Sequence, residues 1–108
     1  MNSQQIQELL QELTADGRRG VPALYEAEER LAHAEHALDT LEAKAFLDAE
    51  GAVAERNARA RLASADARLA RDLAKAQVNR VKMKLRMIEQ EMMAAATASK
   101  LLQAEMRL

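Results

Sequence analysis

The chain has 108 residues, of which 49% are hydrophobic, 31% are charged and only 2% are aromatic, with a formal net charge of −1. A single domain of this length buries a modest core, so partners are expected. The absence of cysteine excludes disulfides, thiolate nucleophiles and thiolate metal sites, and it fits a reducing compartment such as the cytosol. No run of eighteen apolar residues is present, which excludes a membrane-spanning helix, and the polar N-terminus shows no secretory signal.

The first predicted element is a short amphipathic helix over residues 3–14, in which Ile6, Leu9, Leu10 and Leu13 recur at helical spacing. Two glycines and Pro22 follow within eight residues. Residues 15–21 are therefore predicted to form a flexible linker, and Pro22 is predicted to open the next helix at its first turn.

The second predicted helix covers residues 22–50 and carries a narrow coiled-coil seam. Apolar residues recur there at alternating spacings of three and four, at Leu24, Ala27, Leu31, Ala34, Leu38, Leu41 and Ala45. Gly51 follows directly, as a helix C-cap glycine does, so a tight hairpin turn is predicted near residues 51–52. The alternative is an unbroken helix through Gly51, which would cost only about 1 kcal/mol relative to alanine.

The third predicted helix, over residues 53–106, contains neither proline nor glycine. At 1.5 Å rise per residue it would be roughly 80 Å long. The expected fold is therefore all-α and elongated, one domain over residues 1–108 with a short first helix and an antiparallel, coiled-coil-like hairpin ending in a very long helix.

The long helix has two apolar faces. One carries Leu62, Leu69, Leu73, Ala76, Met83 and Met87, and we expect it to take the second helix of the hairpin. The other is a sustained heptad seam. Because the second helix can cover one face for only half its length, the seam predicts a homodimer, with a higher oligomer as runner-up and the chain direction left open. The predicted interface residues are Val78, Val81, Leu85, Ile88, Met92, Ala95, Leu102 and Met106.

Charge is distributed unevenly along the chain. Residues 22–51 hold eight acidic and two basic side chains, whereas residues 52–88 hold ten basic and three acidic ones. Antiparallel docking of these helices would pair opposite charges, and this is the favoured interpretation. The alternative is that a basic row along the long helix binds a nucleic-acid backbone, although no aromatic side chain interrupts it for base stacking. The row consists of Arg61, Arg68, Arg71, Lys75, Lys82 and Arg86.

No arrangement of residues predicts catalysis, a metal or a cofactor. His33 and His36 lie near one another on the acidic helix, but neither has a glutamate three residues before it, as a di-iron bundle requires. Glycine-rich phosphate loops and nucleophilic triads are missing from the sequence. Binding at a membrane surface is disfavoured as well, because both apolar faces are expected to be used in packing. The sequence therefore predicts a binding protein rather than an enzyme.

The run AKAFLDAEGAVAERNARARL at Ala43–Leu62, followed by Asn79-Arg80 and by the ending LLQAEMRL, resembles small Ala-rich helical proteins encoded by tailed bacteriophages. Ala52 departs from the Ser or Thr usual in that family. The resemblance implies a phage-encoded protein made in the bacterial cytoplasm. It leaves two functional hypotheses: a homodimeric protein that binds or inhibits a host or phage protein, and a nucleic-acid-binding accessory of phage recombination.

Overall fold

The computed structural model describes residues 1–107 and is all-α, in agreement with the sequence-based prediction. It contains three helices, α1 (Ser3–Asp48), α2 (Val53–Ala63) and α3 (Ala65–Arg107). Leu108, the last residue of the predicted domain, lies outside the described residues.

The chain divides into two compact units. The terminal unit combines Met1–Leu24 of the N-terminal half with the chain from Arg80 onward, and the turn unit comprises Tyr25–Asn79. Ile6 and Leu13 in the first part and Ile88 and Ala95 in the second are the buried apolar residues of the terminal unit. Those of the turn unit are Ala27, Leu38, Ala60 and Val78. Each unit is thus a pair of antiparallel helical segments that bury one face of each partner.

The predicted linker over residues 15–21 is wrong, because these residues are helical and continue α1 without a break. Helix α1 begins with a reciprocal cap, in which the Gln5 amide donates to Oδ1 of Asn2 at 2.8 Å and the Asn2 amide donates to Oε1 of Gln5 at 3.0 Å. It then runs through both glycines and contains Pro22 in its interior. Glycine and proline in a helix interior cost about 1 and 3 kcal/mol relative to alanine, so packing must offset this local cost.

The two glycines in this stretch face α3. A β-carbon on Gly17 would lie 3.9 Å from Cγ2 of Ile88, an ordinary contact distance. A β-carbon on Gly20 would lie 3.2 Å from Cγ of Leu85 and would overlap one of its methyl groups. Gly20 therefore lets the Leu85 side chain pack directly against the backbone of α1.

The predicted hairpin turn lies between Asp48 and Val53. Gly51 has φ 110°, a conformation that only glycine adopts without strain. Arg56 donates hydrogen bonds of 3.1 and 3.0 Å to the Phe46 carbonyl, and its guanidinium lies 4.4 Å from the centre of the Phe46 ring. Arg59 donates to the Glu50 carbonyl at 3.4 Å. Arg56 of α2 thus caps a C-terminal carbonyl of α1, where positive charge is favoured, and Arg59 of α2 binds a carbonyl of the turn.

The long helix predicted over residues 53–106 is interrupted once, at Ser64, which separates α2 from α3. Ser64 is fully buried, and its hydroxyl donates to the Ala60 carbonyl at 2.7 Å. Arg68 donates in turn to Oγ of Ser64 at 3.0 Å. The backbone hydrogen bonds from the Ser64 amide to the Ala60 carbonyl at 3.1 Å and from the Arg68 amide to the Ser64 carbonyl at 2.9 Å are kept, so the interruption is confined to Ser64, where φ is −99° and ψ is 7°.

Replacement of Pro22 tests whether α1 is continuous. In the helix interior, Pro22→Ala removes a steric clash and supplies an N–H donor, so the free energy of unfolding should rise by up to about 3 kcal/mol. Urea denaturation followed by circular dichroism measures this change. An unchanged or lower free energy of unfolding would instead indicate that Pro22 lies in the first turn of a helix, as the sequence predicts.

The two helical glycines provide a matched pair. Gly17→Ala should raise the free energy of unfolding by about 0.4–1 kcal/mol, because alanine loses less backbone entropy and has room beside Ile88. Gly20→Ala should give no such gain, since its β-carbon displaces Leu85. Equal gains in both variants would contradict the close approach of Leu85 to α1.

Candidate protein interaction surface

The heptad seam that predicts a homodimer is already covered within the chain. Val78, Ile88 and Ala95 are buried, while Val81, Leu85, Met92 and Leu102 are half-buried. Leu85 and Ile88 face Gly20 and Gly17 of α1. Met106 alone among the predicted interface residues is exposed. The seam is therefore a packing surface inside the protein, and the prediction that it pairs with a second chain is corrected.

The other apolar face of the long helix is exposed. The prediction that the second helix of the hairpin packs against this face is therefore wrong. Leu69, Leu73, Met83 and Met87 are 58%, 62%, 62% and 57% exposed, and Leu62 on α2 is 79% exposed. We call Leu69, Leu73, Ala76, Met83 and Met87 the outer face of α3. Its residues lie two positions beyond the seam in each heptad, which places them on roughly the opposite side of the helix.

Size and spacing set the outer face apart from ordinary surface residues. Single exposed apolar side chains are normal in proteins, whereas large contiguous apolar patches are typical of interaction surfaces. With Arg80 included, the outer face follows the alternating spacing of a coiled-coil seam from Leu69 to Met87. Four large flexible side chains at that spacing can pack against another helix.

The predicted nucleic-acid face is only partly free. Arg68 is bonded to Ser64 and lies 3.9 Å from a carboxylate oxygen of Glu42 on α1. This is the one ion pair between different helices in the described part of the chain, and partly exposed pairs of this kind contribute about 0–1 kcal/mol. Arg71 donates to Asp72 at 2.8 Å. Exposed side chains remain at Arg61, Lys75, Lys82 and Arg86.

The histidine and acidic side chains of the turn unit form no metal site among the described residues. Nε2 of His33 lies 3.7 Å from Oε1 of Glu29, one turn away on α1. Within residues 1–107, no group of three or more His, Asp or Glu side chains is placed so that it could hold a metal ion. No helix in this part of the chain combines the length and apolar character needed to cross a bilayer.

Comparison with known proteins finds no protein-family model, no curated sequence and no solved structure that matches the chain.

Neighbouring residues on α3 distinguish the two faces. Ile88 is 8% exposed whereas Met87 is 57% exposed, so Ile88→Ala should lower the free energy of unfolding by about 2–4 kcal/mol. Met87→Ala should change it by no more than about 0.5 kcal/mol in dilute protein. Urea denaturation of both variants measures the difference. A larger loss for Met87→Ala would mean that the packed and exposed faces are exchanged.

Proposed function

We propose that the protein is a homodimeric, coiled-coil interaction protein that works by binding another protein and has no catalytic chemistry of its own. The observation that carries this proposal is the outer face of α3, where Leu69, Leu73, Met83 and Met87 are more than half exposed. The dimer proposed here uses this face in place of the heptad seam, which α1 covers.

A second copy is the simplest occupant for the outer face. Every copy presents the same apolar residues, and association of two identical faces removes them from water on both chains at once. Removal of apolar surface from water is favourable by about 25 cal/mol per Å². A dimer built in this way does not use the acidic residues 22–48 of α1, which could contact a further protein partner.

A nucleic-acid-binding function receives less support. Arg68 and Arg71 are engaged with Glu42 and Asp72, so four exposed basic residues of the predicted row remain available. They could give salt-dependent binding to a phosphate backbone, which a low-salt gel shift would detect. The absence of a shift by the wild-type protein would remove this alternative.

The proposed setting is the cytoplasm of a phage-infected bacterial cell, where the protein would bind or inhibit a host or phage protein. Support comes from the resemblance carried by Ala43–Leu62. In the structure, this run contains the end of α1, the Gly51 turn and most of α2.

Charge substitutions on the outer face test the proposal. Leu69→Lys combined with Met83→Lys should convert a dimer into a monomer in sedimentation equilibrium, because it introduces four unpaired charges into one interface. Helical content by circular dichroism should persist, since both residues are exposed in the single chain.

Leu47→Lys is the matched control, because Leu47 is an exposed leucine, at 72% exposure, that lies on α1 and not on the outer face of α3. It should leave the mass of the dimer unchanged. A wild-type protein that sediments as a monomer at high concentration would contradict the proposal, as would a Leu69→Lys, Met83→Lys variant that remains dimeric.

A further inference from the structure

We propose that the two copies associate through α3 in antiparallel orientation, with the two-fold axis level with Val78. This inference rests on the proposed function and specifies its interface. The pairing segment is residues 69–87 of each chain, which lies within the single helix α3.

The outer face pairs well with itself in this register. Leu69 of one protomer lies opposite the partner's Met87, and Leu73 lies opposite the partner's Met83. Because the arrangement is two-fold symmetric, each of these layers occurs twice. All four large side chains of each outer face are thereby covered by an apolar residue of the other chain.

Arg80 favours the antiparallel direction. It occupies the one basic position within the outer-face spacing and is exposed in the single chain. In the antiparallel register it faces the partner's Ala76, whose small side chain leaves room for the arginine to extend toward water. A parallel dimer would instead place the two copies of Arg80 opposite each other in the middle of the interface, where like charges repel.

Charges beside the outer face agree with the same register. Asp72 and Arg86 occupy corresponding flanking positions of the heptad, and the antiparallel arrangement brings Asp72 next to the partner's Arg86 on both sides of the axis. Both side chains are exposed in the single chain, where Asp72 also accepts a hydrogen bond from the neighbouring Arg71 at 2.8 Å. The other flanking positions within the segment are Ala70, Gln77, Asn79 and Lys84, and the register places no like charges together there.

Exchange of the flanking charges tests the register. Asp72→Arg and Arg86→Asp should each weaken the dimer about tenfold in sedimentation equilibrium, because each variant creates two repulsive pairs. The double variant should recover the wild-type dissociation constant. A parallel dimer would bring Arg86 next to the partner's Glu91 instead, so failure of the double variant to recover would overturn the antiparallel register.

Engineered cysteines provide a second test, because the described chain contains no cysteine that could interfere. A Leu69→Cys protein mixed with a Met87→Cys protein should form a disulfide-linked heterodimer under mild oxidation, and neither protein alone should cross-link. Since bonded cysteines require Cα atoms within about 7 Å, cross-linking of the Leu69→Cys protein to itself would show parallel chains and overturn the inference.

These outcomes separate the inference from the proposed function. A dimer that Leu69→Lys with Met83→Lys dissolves, but that the charge exchanges do not affect, would retain the proposed function and overturn the register. A monomeric wild-type protein that binds vesicles of anionic phospholipid would overturn both, and it would assign the outer face to a membrane surface.

Discussion

The packing of Leu85 against the backbone at Gly20 determines how the terminal unit is built. A β-carbon on Gly20 would overlap this leucine, so the absence of a side chain is what allows α1 to lie this close to α3. Close approach buries Ile6 and Leu13 on one side and Ile88 and Ala95 on the other. The same packing covers the heptad seam, and it leaves the outer face of α3 exposed.

Helical periodicity together with Gly51 was sufficient to predict an all-α chain with a hairpin turn, but not which face of the long helix is packed. Gly51 has the positive φ expected of a glycine that ends a helix, and Ala27 and Leu38 are buried as the seam of the second helix requires. The linker was predicted wrongly because glycine and proline act locally, whereas burial acts over the whole helix. Local rules contain no information on the contacts of Gly17 and Gly20 with α3, which are set by tertiary packing.

Which apolar face lies inside could not be decided by counting apolar residues. The outer face carries larger side chains on average, yet the packed face includes Ala60, Ser64 and Ala95, which are small. Small residues let two helices approach closely, and this physical preference could have identified the packed side. The arginines have several roles, since Arg56 caps α1, Arg59 binds the turn and Arg68 pairs with Glu42.

The central claim is that the seam is internal while the outer face of α3 associates with a second chain. An isotope-filtered NMR experiment on a mixture of labelled and unlabelled protein tests both parts in one measurement. The account predicts contacts between chains for the Leu69, Leu73, Met83 and Met87 methyl groups, and contacts within one chain for Leu85 with Gly20. Contacts between chains from the Leu85 and Ile88 methyl groups would contradict it.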